Sequence, residues 1–411
     1  MNTDQFQYTA QVFDSYEKRF AAARLNKPLR DPSDAADRAD ILREAREMLC
    51  IDKIPAPTID ILDFKDEKHG GVTVRIMQFR SWEHCYGEAS LFLPSETTKR
   101  CPAVVICNGH SPQGRMGAAY QRVAFRLASR GITVLMSDNL GQGSRKEFGH
   151  WEAEAPLCGG ITLQGMIVAE SNAWIEWLAK QPFVDASRIG ACGNSGGGTL
   201  TLFLIATNPR LAVAASSGYP SEFSYLLQKE KKHCCCNLLR GCAHRADMWE
   251  IYSTFAPKPL LLSGGKWDNL IPADVLRRTI RKVRTVYGKA GAADSLEFAV
   301  TDTKHPWEEE DHAVLTEFFC RRFGVLDRAN AADTMPPMEE ECRFTYPDDA
   351  ISTNRLAEQL LGIVIDEKIT LSDRYPPVFE NGYVDVNRLA EDLFPTDPMR
   401  ILTQMEIALT E

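Results

Sequence analysis

A serine flanked by small residues is the first group in this chain whose type and spacing could do chemistry. Ser195 lies in Gly193-Asn194-Ser195-Gly196-Gly197, and G-x-S-x-G spacing is typical of a nucleophile on a sharp turn between a strand and a helix. Small neighbours let backbones pass closely at such a turn. Residues 184–190 predict a turn and a short strand before the serine, and residues 199–207 predict a buried helix after it. The context therefore predicts a nucleophilic hydroxyl at Ser195.

A nucleophilic serine needs a base to take its proton and an acid to orient that base, and two acids are candidates. Asp268 comes just after the predicted strand at residues 259–263, where a carboxylate can accept the N–H of an imidazole. A purely structural aspartate near the start of the next helix is the alternative. Glu222 follows the predicted strand at residues 212–216 and is the competing acid. We predict that Asp268 is the acid.

Two histidines are candidates for the base. His305 lies in the loop directly after the final predicted strand, residues 296–300, from which a side chain can reach back over the serine turn. His312 lies about two turns into the following predicted helix, where a histidine more often packs or is solvated. We predict His305 as the base, so the expected catalytic triad is Ser195, Asp268 and His305.

A tetrahedral oxyanion needs two preorganised N–H donors. The backbone amide of Gly196, directly after the nucleophile, is expected to be one of them. The second is expected from the turn after the predicted strand at residues 102–107, and the amide of His110 is the candidate by position. The side chain of His110 is either a substrate contact or a structural histidine, and the sequence leaves both open.

The elements that must position these residues are short apolar strands that alternate with longer helices, after an antiparallel start at about residues 58–94. This alternation predicts an α/β fold with a mostly parallel central sheet covered by helices on both faces. Functional residues are then expected at the carboxyl ends of the strands. The predicted strands are residues 102–107, 132–137, 184–190, 212–216, 259–263 and 296–300, and the predicted helices are residues 120–129, 167–180, 199–207, 272–287 and 308–323.

Three regions are expected along the chain. They are an N-terminal helical region over residues 1–57, a catalytic domain over residues 58–328 and a C-terminal extension of unknown role over residues 329–411. In the extension, Asn354–Leu360 and Asn387–Leu393 nearly repeat. Each predicts a short helix whose asparagine caps the first amides.

The composition of the chain indicates which classes of partner and which cellular compartment to expect. The 411 residues are 44% hydrophobic and 25% charged with a net charge of −9, which disfavours a nucleic-acid partner. No apolar run approaches the roughly 20 residues that span a bilayer. Twelve cysteines, with Cys234–Cys236 consecutive, favour a reducing compartment, so we predict a cytoplasmic protein. A small molecule is the expected partner, and the terminal extensions are natural interfaces for a homo-oligomer.

One cluster has the residue types of a zinc site: His233, Cys234–Cys236, Cys242 and His244. Tetrahedral zinc sites usually space their cysteines by two to four residues, and adjacent cysteines do not easily converge on one ion. We therefore predict no metal and no cofactor.

Over about residues 100–325 the chain resembles the acetyl xylan esterase-like branch of the α/β-hydrolases, which is related to cephalosporin deacetylases and dienelactone hydrolases. The resemblance departs in two places: Asn108-Gly109 stands where many relatives have His-Gly, and Arg240-Gly241 where Pro-Gly is expected. It rests on motifs at Gly109–Ser111, Gly114-Arg115, Ser137–Arg145, Val184–Gly190, Gly193–Thr199, His233–Asn237, Ala256–Pro259, Asp268 and His305.

The resemblance implies the α/β-hydrolase fold and a metal-free serine esterase that acts on acetylated carbohydrate or similar small esters. It implies Ser195 as nucleophile, Asp268 as acid and His305 as base. It also implies that the cysteine cluster belongs to a loop over the active site. Two alternatives remain: a peptidase of the prolyl-oligopeptidase type, and a catalytically silent relative that acts as a binding protein.

Overall fold

The computed structural model describes residues 14–15, 18–27, 29–94, 100–150, 155–228, 237–305, 307–325, 344–364 and 407–409. The repeat copy at residues 387–393, Trp151 and the cysteines 234–236 therefore lie outside the described residues. Among the described residues, no helix is both long and apolar enough to cross a membrane.

The described strands form one nine-stranded sheet in the order β1-β2-β3-β5-β4-β6-β7-β8-β9. The neighbouring pairs β1–β2, β2–β3 and β3–β5 are antiparallel. Every later neighbouring pair in this order, from β5–β4 to β8–β9, is parallel. The strands are β1 Asp60–His69, β2 Val72–Arg80, β3 Tyr86–Pro94, β4 Cys101–Cys107, β5 Thr133–Ser137, β6 Val184–Asn194, β7 Leu211–Ser217, β8 Leu260–Gly265 and β9 Leu296–Thr301.

Helices connect the parallel strands and cover both faces of the sheet. The α-helices are α1 Ala35–Leu49, α2 Ala118–Ser129, α3 Ala155–Gly159, α4 Leu163–Ala179, α5 Gly196–Thr207, α6 Phe223–Gln228, α7 Met248–Ser253, α8 Ala273–Lys289, α9 Glu309–Phe323 and α10 Thr353–Leu361. Short 3-10 turns occur at Ile51–Lys53, Gly114–Met116, Gly143–Phe148 and Ala293–Ser295. The expected α/β-hydrolase fold, with a mostly parallel sheet between two helical layers, is confirmed.

The hydrophobic core has two layers, one on each face of the sheet, and the side chains of β4 point alternately into them. Val105 and Cys107 pack into the layer that contains α1, α4, α5 and α8. Val104 and Ile106 point to the opposite layer, with α2 and α9. Successive side chains of a strand face opposite sides of a sheet, so this central strand is buried on both faces and reads as a continuous apolar run.

Helix α1 of the N-terminal region and helix α10 of the C-terminal extension pack on the same body. In α1, Ile41, Ala45 and Leu49 are buried in the core layer that α4 and α5 share. Helix α10 begins after Ser352, whose side chain accepts from the amide of Arg355. The prediction that Asn354 caps this helix was wrong, because the capping serine lies two residues earlier.

Candidate active site

The turn at Ser195 joins β6 directly to α5. Ser195 has φ 58° and ψ −121°, a left-handed conformation that costs a non-glycine residue roughly 1–3 kcal/mol. A Cβ on Gly193 would lie 2.4 Å from the carbonyl of Gly197, and one on Gly197 would lie 2.0 Å from the carbonyl oxygen of Cys107. Both positions therefore require glycine, and the strained serine is held at the apex of a tightly packed strand–turn–helix unit.

Asp268 and His305 meet at the carboxyl ends of β8 and β9. His305 Nδ1 lies 2.8 Å from Asp268 Oδ2, and the Asp268 side chain is fully buried. The other carboxylate oxygen of Asp268 accepts from the amides of Leu270 at 2.8 Å and Ile271 at 3.0 Å. Because the carboxylate is fixed on both oxygens, it holds the imidazole with a proton on Nδ1.

His305 is anchored beside the serine turn. Asn194, the residue before the nucleophile, donates from Nδ2 to the backbone oxygen of His305 at 2.9 Å. A Cβ on Gly218 would lie 3.3 Å from His305 Cε1 and 2.4 Å from Asn194 Oδ1, so Gly218 lets the loop approach. His305 Nε2 is buried and has no hydrogen-bond partner among the described residues. The nitrogen that would take the proton of the serine is thus the one left unpaired.

The competing acid and base lie elsewhere. Glu222 forms an ion pair with Lys282 on α8. His312 is 1% exposed within α9, near Arg126 and Glu309. Burial, followed by the positive charge of Arg126, lowers the pKa of His312 to about 4. The structure brings Asp268, and not Glu222, to His305.

The turn after β4 approaches the serine turn closely. A Cβ on Gly109 would lie 2.5 Å from the backbone oxygen of Asn194 and 3.4 Å from Ser195 Cβ. The amide of Gly109 donates to the hydroxyl of Tyr120 at 2.7 Å. That amide is therefore occupied, and His110 supplies the next amide along the turn.

Buried charges fasten this turn to the sheet. Asp138, which follows β5, accepts from the amide of Arg115 at 2.7 Å and from its Nη1 at 3.1 Å. The same carboxylate accepts from the amide and the hydroxyl of Ser144 at 3.1 and 2.8 Å. Arg115 Nη2 donates to Glu88 on β3 at 2.6 Å, and all three charged side chains are at most 1% exposed. Three segments of the chain are thereby tied together behind the turn.

The C-terminal segment completes this network. Glu88 Oε1 accepts from the amide of Phe344 at 2.8 Å, while Oε2 accepts from Arg115. Burial raises the pKa of Glu88, and the Arg115 guanidinium and the Phe344 amide act in the opposite direction. A residue far along the chain therefore contributes to the support of the turn at residues 109–117. We name the set Glu88, Arg115, Asp138 and Phe344 the buried charge network.

A second histidine lies against His110. His110 Nε2 and His150 Nε2 are 3.1 Å apart, and their rings meet edge to face. His150 is 2% exposed, whereas His110 reaches solvent. Desolvation by the surrounding loops, followed by the nearby rings of His150 and His305, lowers the pKa of His110 even though one side of the residue is exposed. The ring of His110 is thus expected to be neutral near pH 7.

Sequence reasoning missed His150, Glu88 and the role of Asp138. Glu88 carried a signal, because a lone charge inside the apolar strand β3 is either misplaced or paired. His150 carried none, since it lies 40 residues from His110. From the sequence, Trp151, Trp267 and Trp307 flank the motif loops, where aromatic side chains either stack on sugars or pack into the core. Trp267 is 61% exposed and Trp307 is buried, whereas Trp151 lies outside the described residues.

A match to a family model agrees with this geometry. Residues 88–290 match the Dienelactone hydrolase family, so this part of the chain, which has the α/β-hydrolase fold, is similar to that family. The resemblance inferred from the motifs is thereby confirmed.

The chain is also similar in sequence or in structure to individual proteins. The chain is 28% identical over 216 residues to the Bacillus subtilis protein named "Putative hydrolase YtaP", covering 49% of this chain and 72% of that protein. Its structure is similar to that of the methylesterase BT1017, with a TM-score of 0.61, 21% identity, and coverage of 84% of this chain and 78% of the other. A Bacteroides fragilis structure described as "a putative acetyl xylan esterase" superposes with a TM-score of 0.58 at 15% identity, covering 76% of this chain and 90% of the other. At these identities the structural likeness shows the fold.

Proposed function

We propose that the protein is a serine hydrolase that cleaves small-acyl carboxylic esters, acetyl esters among them, with carbohydrate esters as the natural candidates. One observation carries the proposal: a buried Asp268 holds His305 beside the Ser195 turn with His305 Nε2 unpaired among the described residues. The names of the structural neighbours, a methylesterase and an acetyl xylan esterase, support the class of substrate.

The proposed reaction is a two-step acyl transfer. The Ser195 hydroxyl attacks the ester carbonyl while His305 Nε2 takes its proton, and Asp268 stabilises the resulting imidazolium. The amides of Gly196 and His110 donate to the oxyanion, an interaction whose loss typically costs about 100- to 1000-fold in turnover. His305 then returns its proton to the leaving alcohol. A water molecule, deprotonated by the same imidazole, hydrolyses the acyl-enzyme and regenerates Ser195.

The position of the base supports a role in both steps. His305 Nδ1 is paired with a fully buried carboxylate, while Nε2 is buried and without a partner among the described residues. A base that is oriented through Nδ1 has Nε2 left to take a proton, from the serine first and from the water afterwards. The proposed setting is cytoplasmic, in keeping with the eight free cysteines among the described residues.

Hydrolysis of p-nitrophenyl acetate, butyrate and octanoate by the wild type and by Ser195→Ala tests the proposal. We expect activity that declines with acyl length and that falls by at least about a thousandfold in the variant. Ser187→Ala, on the surface of the same strand, is the matched control and should behave like the wild type. Equal activity in wild type and Ser195→Ala would refute the nucleophile. Folded wild type with no activity on any chain length would favour a catalytically silent binding protein.

A further inference from the structure

We infer that Asn194 is a positioning residue, which holds the backbone of His305 against the turn of the nucleophile. The inference rests on the proposed esterase function and deepens it, because it assigns the placement of the base to the residue directly before Ser195. We name residues 302–305 and 307–308, which carry the base, the base loop. The inference follows from the few hydrogen bonds that restrain this loop.

One hydrogen bond cannot position the imidazole by itself. His305 Nδ1 lies 2.8 Å from Asp268 Oδ2, and this contact selects the tautomer. The ring can still pivot about that oxygen, and a pivot displaces Nε2, the atom that takes the serine proton in the proposed reaction. Because proton transfer depends on such distances, a second restraint is needed. It must act on the backbone of His305, since Nε2 has to stay available for the proton.

The hydrogen bond from Asn194 is a restraint of that kind. Asn194 Nδ2 donates to the backbone oxygen of His305 at 2.9 Å, and a carbonyl oxygen can only accept, so the orientation of the side-chain amide is fixed. Asn194 is 5% exposed and is the last residue of β6. The donor therefore lies at the end of a central strand, one residue before the nucleophile. Any shift of the nucleophile turn is transmitted to the base.

The other hydrogen bonds of the base loop lead to different elements. The amide of Trp267, after β8, donates to the backbone oxygen of Thr303 at 2.9 Å. Glu308, at the start of α9, accepts from the amide of Lys304 at 3.2 Å. These contacts place the loop relative to β8 and α9. Among the described residues, the bond from Asn194 is the one hydrogen bond between the base loop and the nucleophile turn.

The surroundings of Asn194 indicate that its donor matters more than its acceptor. Asn194 Oδ1 is buried and has no hydrogen-bond partner among the described residues. A Cβ on Gly218 would lie 2.4 Å from this oxygen and 3.3 Å from His305 Cε1, so both side chains need the glycine. A buried acceptor without a partner costs free energy. The stability of the fold therefore does not account for an amide here, whereas the bond to His305 does.

Two substitutions separate donation from shape. Asn194→Ala removes the donor, whereas Asn194→Asp keeps the shape and places a carboxylate against the backbone oxygen of His305. The matched controls are Asn208→Ala and Asn208→Asp. Asn208 is also 5% exposed and donates from Nδ2 to Asn172 at 3.1 Å, but it follows the 12-residue helix α5, about 18 Å along the axis from Ser195. Urea unfolding measures the stability of each variant, and kcat/KM is measured with p-nitrophenyl acetate and ethyl acetate from pH 5 to pH 8.

We expect Asn194→Ala to lower kcat/KM for p-nitrophenyl acetate by about 100-fold, the loss that a displacement of roughly 1 Å can cause. The loss for ethyl acetate should be about tenfold larger, because ethoxide needs a proton from His305 to leave, whereas p-nitrophenolate leaves as an anion. A smaller fraction of folded protein would lower both rates by the same factor. The two Asn208 variants should keep the wild-type ratio between the esters.

The pH profile of Asn194→Asp provides a second signature. At pH 8 a carboxylate accepts and cannot donate, so the loss should be at least as large as in Asn194→Ala. Burial raises the pKa of a carboxyl group, so at pH 5 the protonated acid can donate to His305. The rate relative to the wild type should then recover by about tenfold, the contribution of one neutral hydrogen bond. Asn208→Asp should show no such recovery.

Two outcomes overturn the inference and leave the proposed function intact. One is wild-type kinetics in both Asn194 variants. The other is an equal loss for the two esters without recovery of Asn194→Asp at pH 5, as a merely structural role predicts. If Asn194→Ala does not fold, the nearly isosteric Asn194→Asp decides alone, because its recovery is measured within one protein. A wild type without Ser195-dependent hydrolysis of either ester would remove the proposed function and the inference with it.

Discussion

The two halves of the candidate site are built in different ways. The acid–base half, Asp268 and His305, consists of two residues that each follow a strand and meet through one hydrogen bond. The oxyanion half, the turn at residues 109–117, depends on the buried charge network and on a histidine pair. The first half is held by its own loops and by Asn194, whereas the second is held by side chains from a strand, a helix and loops and by a backbone amide of the C-terminal segment. We therefore expect substitutions in the first half to lower kcat, and substitutions in the second half to lower the free energy of unfolding.

Removal of the base should have the largest effect. His305→Ala eliminates the group that takes the serine proton, and we expect kcat to fall by about 10⁴-fold or more with little loss of stability. His312→Ala is the matched control, since His312 lies in α9 away from Asp268. Esterase kinetics and thermal unfolding are measured for both. A larger kinetic loss for His312→Ala than for His305→Ala would reverse the assignment of the base.

Removal of the charge that orients the base should come next. Asp268→Asn preserves the shape but can favour the wrong imidazole tautomer, so we expect a loss of about 10³- to 10⁴-fold in kcat. Glu222→Gln removes only an ion pair with Lys282 and should leave kcat within about threefold. The same ester assay decides between the two acids, and a large loss in Glu222→Gln alone would restore the competing assignment.

In the oxyanion half the expected loss appears in the free energy of unfolding. Arg115→Met leaves Glu88 and Asp138 buried without their counter-ion, which should cost about 3–5 kcal/mol. Arg278→Met removes an exposed pair with Asp274 on α8 and should cost less than about 0.5 kcal/mol. Urea unfolding measures both. Similar values for the two variants would show that the buried charge network does not support the turn.

His312 belongs to neither half, and the pH dependence that it gives to stability sharpens that statement. His312 has a pKa of about 4 in the folded protein and about 6.5 when unfolded, so the unfolded chain binds more protons between these values. Stability should therefore fall as the pH drops from 6.5 towards 4, by up to about 3 kcal/mol from this group. His312→Phe should remove that part of the slope, which unfolding at pH 7, 5.5 and 4.5 would reveal.

The smallest effect is expected at the C-terminal end of the network. Phe344→Pro removes the amide that donates to Glu88, which should cost about 1–3 kcal/mol, the penalty of an unsatisfied buried acceptor. Phe344→Ala keeps the amide and controls for the loss of the ring. Unfolding of both variants separates the hydrogen bond from the packing, and equal losses would show that the amide contributes nothing.

The two halves also differ in how far the sequence predicts them. Ser195, Asp268 and His305 each follow a strand, and the carboxyl ends of parallel strands share one edge of the sheet, so their meeting could be predicted from order alone. The sheet was predictable for the same reason, since apolar runs mark buried parallel strands. The pairing of Glu88 with Arg115 and Phe344 could not be predicted, because it joins segments up to 256 residues apart without any periodic signal. The same holds for His150.

The contact between Glu88 and Phe344 has a consequence for biosynthesis. Ribosomes add about 5–20 residues per second, so roughly 13–50 seconds separate the synthesis of the two residues. Only near the end of that interval does the nascent chain contain Ser195, Asp268 and His305 together, and at that point the Glu88 carboxylate still lacks its last donor. The addition of Phe344, and not the appearance of the three candidate residues, should therefore mark the moment at which the support of the turn is complete.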